Sequence, residues 1–169
     1  MTTRRLVRLA LYTAIALTIF IVEAQIPMPV PVPGVKLGLA NVVTLVALYS
    51  LGRREAGLIF TARILLGALL IGNVSILLFS AAGGLFAFLV MALLVGLLPS
   101  KYIWIVSVVG ALAHNAGQLL MAVFVLRTPA VLLFAPTLIL SAVITGCFTG
   151  IAARQLLNFE TNFRETIVD

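Results

Sequence analysis

Apolar runs of membrane-crossing length, separated by short polar or Pro/Gly breaks, fill nearly the whole chain, and they limit its fold more than any other feature. They fall at Leu6–Ile26, Val35–Leu51, Ala56–Ile71, Val74–Leu98, Tyr102–Leu126 and Ala130–Leu157. A bilayer core about 30 Å thick needs roughly 17–25 apolar residues in a helix. The runs are continuous, without the alternation a membrane barrel shows, so the expected fold is all-α. Charged residues are 9% of the 169 and hydrophobic ones 63%. A soluble domain carries about 25% charged residues. The chain reads as one integral membrane domain, residues 1–169, with a short polar tail from 157 onward.

Orientation follows from the basic residues. Six spans put Arg4, Arg5, Arg8, Arg53, Arg54, Lys101, Arg154 and Arg164 on the side of the N-terminus. Only Lys36 and Arg127 lie near the opposite face, and Arg63 lies within a span. Basic residues mark the cytoplasmic side, so both termini are expected inside. A five-span alternative, with Val35–Leu51 re-entrant, would put the C-terminal arginines outside. On this account the net charge of +6 reflects membrane orientation and not affinity for nucleic acid. The single cysteine, Cys147, excludes an internal disulfide and a cysteine metal site.

The stretch between the first two runs is PMPVPVPGVKLGLAN. Pro27, Pro29, Pro31 and Pro33 each lack an N–H and fix φ, and each biases its predecessor toward extended backbone. Gly34 allows a turn. A stiff apolar loop here suggests a lid over a site, delivering Lys36 and Asn41 to the top of the second run.

At about 1.5 Å per residue, sequence offsets become depths. Arg63 lies about 12 Å beyond Glu55, near the midplane, and Glu23 about 22 Å beyond Arg8. His114 lies about 20 Å beyond Lys101, with Gln118 one turn higher. With Lys36, Asn41, Asn73, Ser80 and Asn115, these polar groups converge on the outer half, as around a cavity open to the outside. An arginine at mid-membrane costs about 2.5–3.5 kcal/mol on insertion scales, so it pairs or faces a cavity. Arg63 is either a clamp for an anionic ligand or the partner of Glu23, and both hold if ligand displaces Glu23. Lys36 is either a second cation for that ligand or a residue snorkelling to the headgroups. His114 and Gln118 share a face at i,i+4, with Asn115 beside Gln118. They either hydrogen-bond a ligand or join helices, at about 0.6 kcal/mol per bond.

Small residues form two ridges. Ala142, Gly146 and Gly150 suit close packing within the bundle. Ala10 and Ala14 suit an external partner, since they lie near the basic end. Gly83-Gly84 allows local unwinding or close approach, and Pro136 kinks or restarts the last span. No GxxxxGK[ST] loop is present. The one aspartate is Asp169, so no carboxylate cluster for Mg²⁺–diphosphate chemistry is evident. Neither a cofactor nor a metal is expected.

The stretches PGVKLGLANVVTLVALY, ARILLGALLIG, SAAGG, GALAHNAGQLL and TPAVLLFAPTLILSAVITGCFTG resemble the family called Gx transporters or heptaprenyl diphosphate synthase component I, over about Leu9 to Arg154. More broadly the chain resembles the six-helix substrate-binding (S) components of energy-coupling-factor transporters. That likeness implies a multi-pass protein of a prokaryotic-type cytoplasmic membrane, and a small-molecule ligand in the outer half, gated by the first loop. It also implies an Ala10/Ala14 ridge that docks separate coupling and ATPase subunits. The synthase label implies a non-catalytic membrane component of prenyl diphosphate or quinone biosynthesis instead. The expected ligand residues are Arg63, Lys36, Asn41, His114, Asn115, Gln118, Glu23 and Ser80.

Overall fold

The computed structural model describes residues 2–26 and 36–168, with side chains placed through 161. Among the described residues the structure is helical without a strand. The helices are α1 (Thr3–Glu23), α2 (Asn41–Ser50), α3 (Arg53–Ile71), α4 (Val74–Val95), α5 (Ile103–Leu126) and α6 (Ala135–Val168). Short 3₁₀ turns at Ser100–Tyr102 and Pro129–Phe134 precede α5 and α6. Four segments are long and apolar enough to cross a membrane: Thr3–Glu23, Val74–Val95, Ser100–Leu126 and Pro129–Thr161. Leu69, Phe124 and Leu133 are 80%, 79% and 81% exposed. An outer surface this apolar is suited to lipid and not to water.

The shortest helix is the hub. Every residue from Val42 to Leu48 is buried, and α2 packs against α1, α3, α4 and α6. A helix apolar on all sides needs protein all round it, and NVVTLVALY satisfies that. The core around it gathers Ala16 of α1, Ile59 of α3, Met91 of α4, Ile103 and Val106 of α5 and Ala153 of α6. Successive helices alternate in direction. The start of α2 meets the end of α1, and Ser50 at its other end shares a surface pocket with Arg4, Arg5 and Arg8. Arg5 pairs with Glu55, and Ser50 donates to Glu160 at 2.6 Å. Arg4, Arg5, Arg8, Arg53, Arg54, Lys101 and Arg154 are all exposed at this one end, which we call the basic end.

Several expected boundaries shift. The described part of the second run, from Lys36, does not start as helix. Residues 36–38 have no regular structure, 39–40 form a turn, and the helix starts at Asn41. The cause is a turn at Gly38, where φ is +82°. Gly52, at φ +96°, makes the break after α2, and Arg53-Arg54-Glu55 is the first turn of α3 rather than a polar linker. Gly83-Gly84 does not interrupt α4, which is continuous. The pair allows close approach instead. Pro136 lies in the first turn of α6, where a missing N–H costs nothing, so it restarts the chain and does not kink it. The polar tail continues α6 as helix to Val168.

The Ala142/Gly146/Gly150 ridge packs inside the bundle. A Cβ on Gly146 would meet Val108 Cα at 2.6 Å, and one on Gly150 would meet Trp104 Cα at 2.8 Å. Backbone atoms cannot swing aside as a side chain does, so these glycines set how closely α5 and α6 approach. Ser107 and Thr149 close the same interface with a hydrogen bond at 2.8 Å. Gly146→Ala should lower stability by about 1–3 kcal/mol through overpacking. Gly57→Ala, which meets only Phe88 Cζ at 3.4 Å, should leave it within about 0.5 kcal/mol. Denaturation in detergent followed by circular dichroism checks both, and equal midpoints would refute the packing argument.

Candidate functional site: a buried cationic cluster

At the end opposite the basic one, buried polar side chains from four elements come together. Lys36 precedes α2, Arg63 is on α3, Ser80 on α4, and His114 and Gln118 on α5. All five are buried. Lys36 Nζ lies 3.6 Å from the centroid of the Phe20 ring. The Arg63 guanidinium lies 5.8 Å from that ring and 5.6 Å from the ring of Phe60. Cation–π contacts reach about 2 kcal/mol when desolvated.

Glycines make the room. A Cβ on Gly67, one turn beyond Arg63, would sit 2.5 Å from the Phe20 ring. One on Gly84 would sit 2.5 Å from Phe60 and 3.2 Å from Arg63 Nη2. On Gly83 it would meet Gln118 Cγ at 2.8 Å and His114 Cε1 at 2.9 Å. The α4 glycine pair therefore lets Arg63 and the α5 polar row close on α4 from two sides.

The expected pairing of Glu23 with Arg63 is not found, because the carboxylate is already engaged. Glu23 accepts hydrogen bonds from the backbone N–H of Gly38 and of Ala40, the latter at 3.4 Å. It ties the end of α1 to the turn that opens α2, where amides would otherwise lack partners. The one ion pair among the described residues is Arg5–Glu55. The backbone N–H of Lys36 donates to Gln118 Oε1 at 3.3 Å, and the Asn41 amide is hydrogen-bonded to His114 Nδ1 at 3.1 Å. With Asn41 donating, a neutral ring carries its proton on Nε2, and the ring lies against Gly83.

Several buried atoms have no hydrogen-bond partner among the described residues: Lys36 Nζ, Arg63 Nε and Nη2, Ser80 Oγ and Gln118 Nε2. Nearly all are donors. A buried polar group left without a partner costs about 1–3 kcal/mol, more if charged. The arrangement is thus built to receive hydrogen-bond acceptors, and negatively charged ones best.

The remaining expected residues separate from this cluster. Asn115 is buried but donates to the Leu138 carbonyl of α6 at 2.8 Å, so it joins helices, although its Oδ1 is unpartnered. Asn73 is exposed, and its side chain caps α4 by accepting from the Ile76 N–H at 3.2 Å. Pro27, Pro29, Pro31, Pro33 and Gly34 lie outside the described residues, and so does any roof they form over the cluster. Below Gly38 and Asn41 the described residues leave a void of about 10 Å³. Ala10 and Ala14 are both exposed on α1. Among the described residues no three His, Cys, Asp or Glu side chains converge as metal ligands.

Sequence reasoning did not single out Phe20 and Phe60, which carry the cations. A signal existed for Phe20, which lies three residues before Glu23 on the same face of α1. Thr44, fully enclosed in α2 with its Oγ1 unpartnered, had no such signal.

These features define a class: an all-helical membrane protein with a donor-rich cationic cluster enclosed near one end of its bundle. Within that class, the model of the heptaprenyl diphosphate synthase component I family matches residues 12–156, and the chain belongs to that family. No curated protein matches the chain, and no solved structure matches it.

The Glu23 bridge has a direct consequence. Glu23→Ala leaves the half-buried Gly38 amide and the buried Ala40 amide without that acceptor and should cost about 1–3 kcal/mol. Hydrogen exchange should speed up at Gly38 and Ala40 while the centre of α2 stays protected. Unchanged exchange at those amides would remove Glu23 from this role.

Proposed function

We propose that the chain is the substrate-binding membrane subunit of a small-molecule uptake transporter, similar to the S components of energy-coupling-factor systems. An anionic ligand sits against Arg63 and Lys36. The observation that carries this reading is the pair of buried cations whose Nζ, Nε and Nη2 have no partner among the described residues, with Glu23 engaged by backbone amides. Lys36, Arg63 and Glu23 together carry a net charge of +1, which an anion neutralises in a medium where an unpaired charge is costly. Gln118, His114 and Ser80 supply further donors, and Asn41 orients His114. The basic end faces the cytoplasm by the positive-inside rule, so the cluster lies in the outer half. Coupling and ATPase subunits are separate chains that dock on the exposed Ala10/Ala14 ridge of α1.

A second reading is favoured by the family description, namely a non-catalytic membrane component of heptaprenyl diphosphate synthesis. Co-purification from native membranes separates the two. ATPase subunits support the transporter, and a soluble prenyl synthase supports the second reading.

Protein purified from native membranes should retain a small anion, identified by native mass spectrometry of the released ligand. Arg63→Gln should reduce that occupancy by about tenfold or more, since a charge-assisted contact is worth at least about 1.5 kcal/mol. Its melting curve should stay cooperative. Equal occupancy in the variant would overturn the assignment. Ala14→Trp should abolish co-purification of ATPase subunits and leave the bound anion in place, and an intact complex would refute docking on that ridge.

A further inference from the structure

A second polar site lies at the basic end, remote from the buried cluster. Between the ends of α2 and α4, the start of α5 and residues 154–161 of α6 is a cavity of about 740 Å³. That is within the 300–1,000 Å³ range of ligand pockets and far larger than an inorganic ion needs.

Its charges are arranged unequally. Lys101 and Arg154 both line it, and neither has a carboxylate within ion-pair distance among the described residues. Lys101 Nζ rests 4.7 Å from the centroid of the Tyr102 ring. Glu160 also lines the cavity, but its Oε2 accepts from the Ser50 hydroxyl at 2.6 Å and the Tyr12 hydroxyl at 3.0 Å. The acid is therefore held by hydroxyl groups of α1 and α2, and the two cations remain available.

The other wall is apolar and includes Val95, Leu98 and Leu157. Leu97 and Leu156, next to it in sequence, are exposed. The cavity thus sits where the apolar outer surface gives way to the basic end, at the level of lipid headgroups. Basic pockets between membrane helices at this level suit anionic headgroups.

We propose that this cavity binds a phosphate-bearing amphiphile, with the phosphate held by Lys101 and Arg154 and the apolar part lying along Leu98. The proposal is independent of the transporter reading, since it uses none of the residues of the buried cluster. A lipid headgroup and a soluble phosphate present the same anion, and the apolar wall favours the lipid.

The test is native mass spectrometry of the full chain released from micelles holding equal amounts of phosphatidylglycerol and phosphatidylcholine. The wild type should retain phosphatidylglycerol preferentially. The Lys101→Gln/Arg154→Gln double variant, altered at exposed positions, should reduce that retention by about tenfold, equivalent to about 1.4 kcal/mol. Leu98→Trp should reduce it similarly by filling the cavity without changing the charge. Arg127→Gln, at the opposite end, should not change it. Retention without preference, or equal retention in the double variant, would overturn the site. Displacement of the lipid by millimolar inorganic phosphate, with phosphate itself retained, would assign the site to a soluble anion and overturn the amphiphile.

Discussion

Two cations buried against one aromatic ring are the constraint on which the rest of the bundle depends. Phe20 receives Lys36 Nζ at 3.6 Å and faces the Arg63 guanidinium at 5.8 Å. Burying one such charge costs several kcal/mol, and two like charges near one another add repulsion. The aromatic contacts offset part of this. A single carboxylate, Glu23, lies in the region, and its oxygens are on backbone amides. The bundle therefore holds an enclosed excess of positive charge that packing alone does not justify. Such groups mark sites of function in membrane proteins, and here the excess coincides with unpartnered donors.

The local backbone is shaped to permit this. Gly67 and Gly84 admit the rings of Phe20 and Phe60, and Gly83 admits the α5 polar row. At Gly38, a positive φ turns the chain so that Glu23 can reach two amides at once. A Cβ on that residue would also meet His114 Cδ2 at 2.8 Å and Asn41 Nδ2 at 2.9 Å. One residue thus sets the start of α2, the engagement of Glu23 and the approach of Asn41 to His114. Because α2 is also the hub of the apolar core, the polar cluster and the core share one structural support.

The helical class, most of the helix limits and the collection of basic residues at one end were legible in the sequence. Each follows from composition and from one-dimensional offsets. Arg63, Lys36, His114 and Gln118 were legible as well, because polar residues inside apolar runs stand out. What sequence could not assign was partnership. Glu23 and Arg63 are opposite charges inside apolar runs, so a pair was one natural expectation. The carboxylate instead satisfies the backbone, a demand created by the Gly38 turn and invisible until that turn is known. Asn115 neighbours His114 in sequence but leaves the cluster, because adjacent helix positions face different directions. The glycine pair of α4 was legible as special, yet whether it unwinds a helix or admits a neighbour depends on what packs there.

The two ends of the bundle handle positive charge in opposite ways, and the contrast bears on function. At the basic end, seven arginine and lysine side chains are exposed, where water and headgroups stabilise them at little cost. At the other end two cations are enclosed, where each needs a specific partner. Exposed charges of the first kind orient a chain in a membrane and tolerate exchange of Lys for Arg. Enclosed charges of the second kind are more sensitive, since a planar guanidinium near two rings, as Arg63 is near Phe20 and Phe60, is not replaced by an ammonium without change. Orientation in a membrane accounts for the gathering of basic residues at one end. It gives no reason to retain the second, so the enclosed pair calls for a separate cause, and recognition of an anion supplies one.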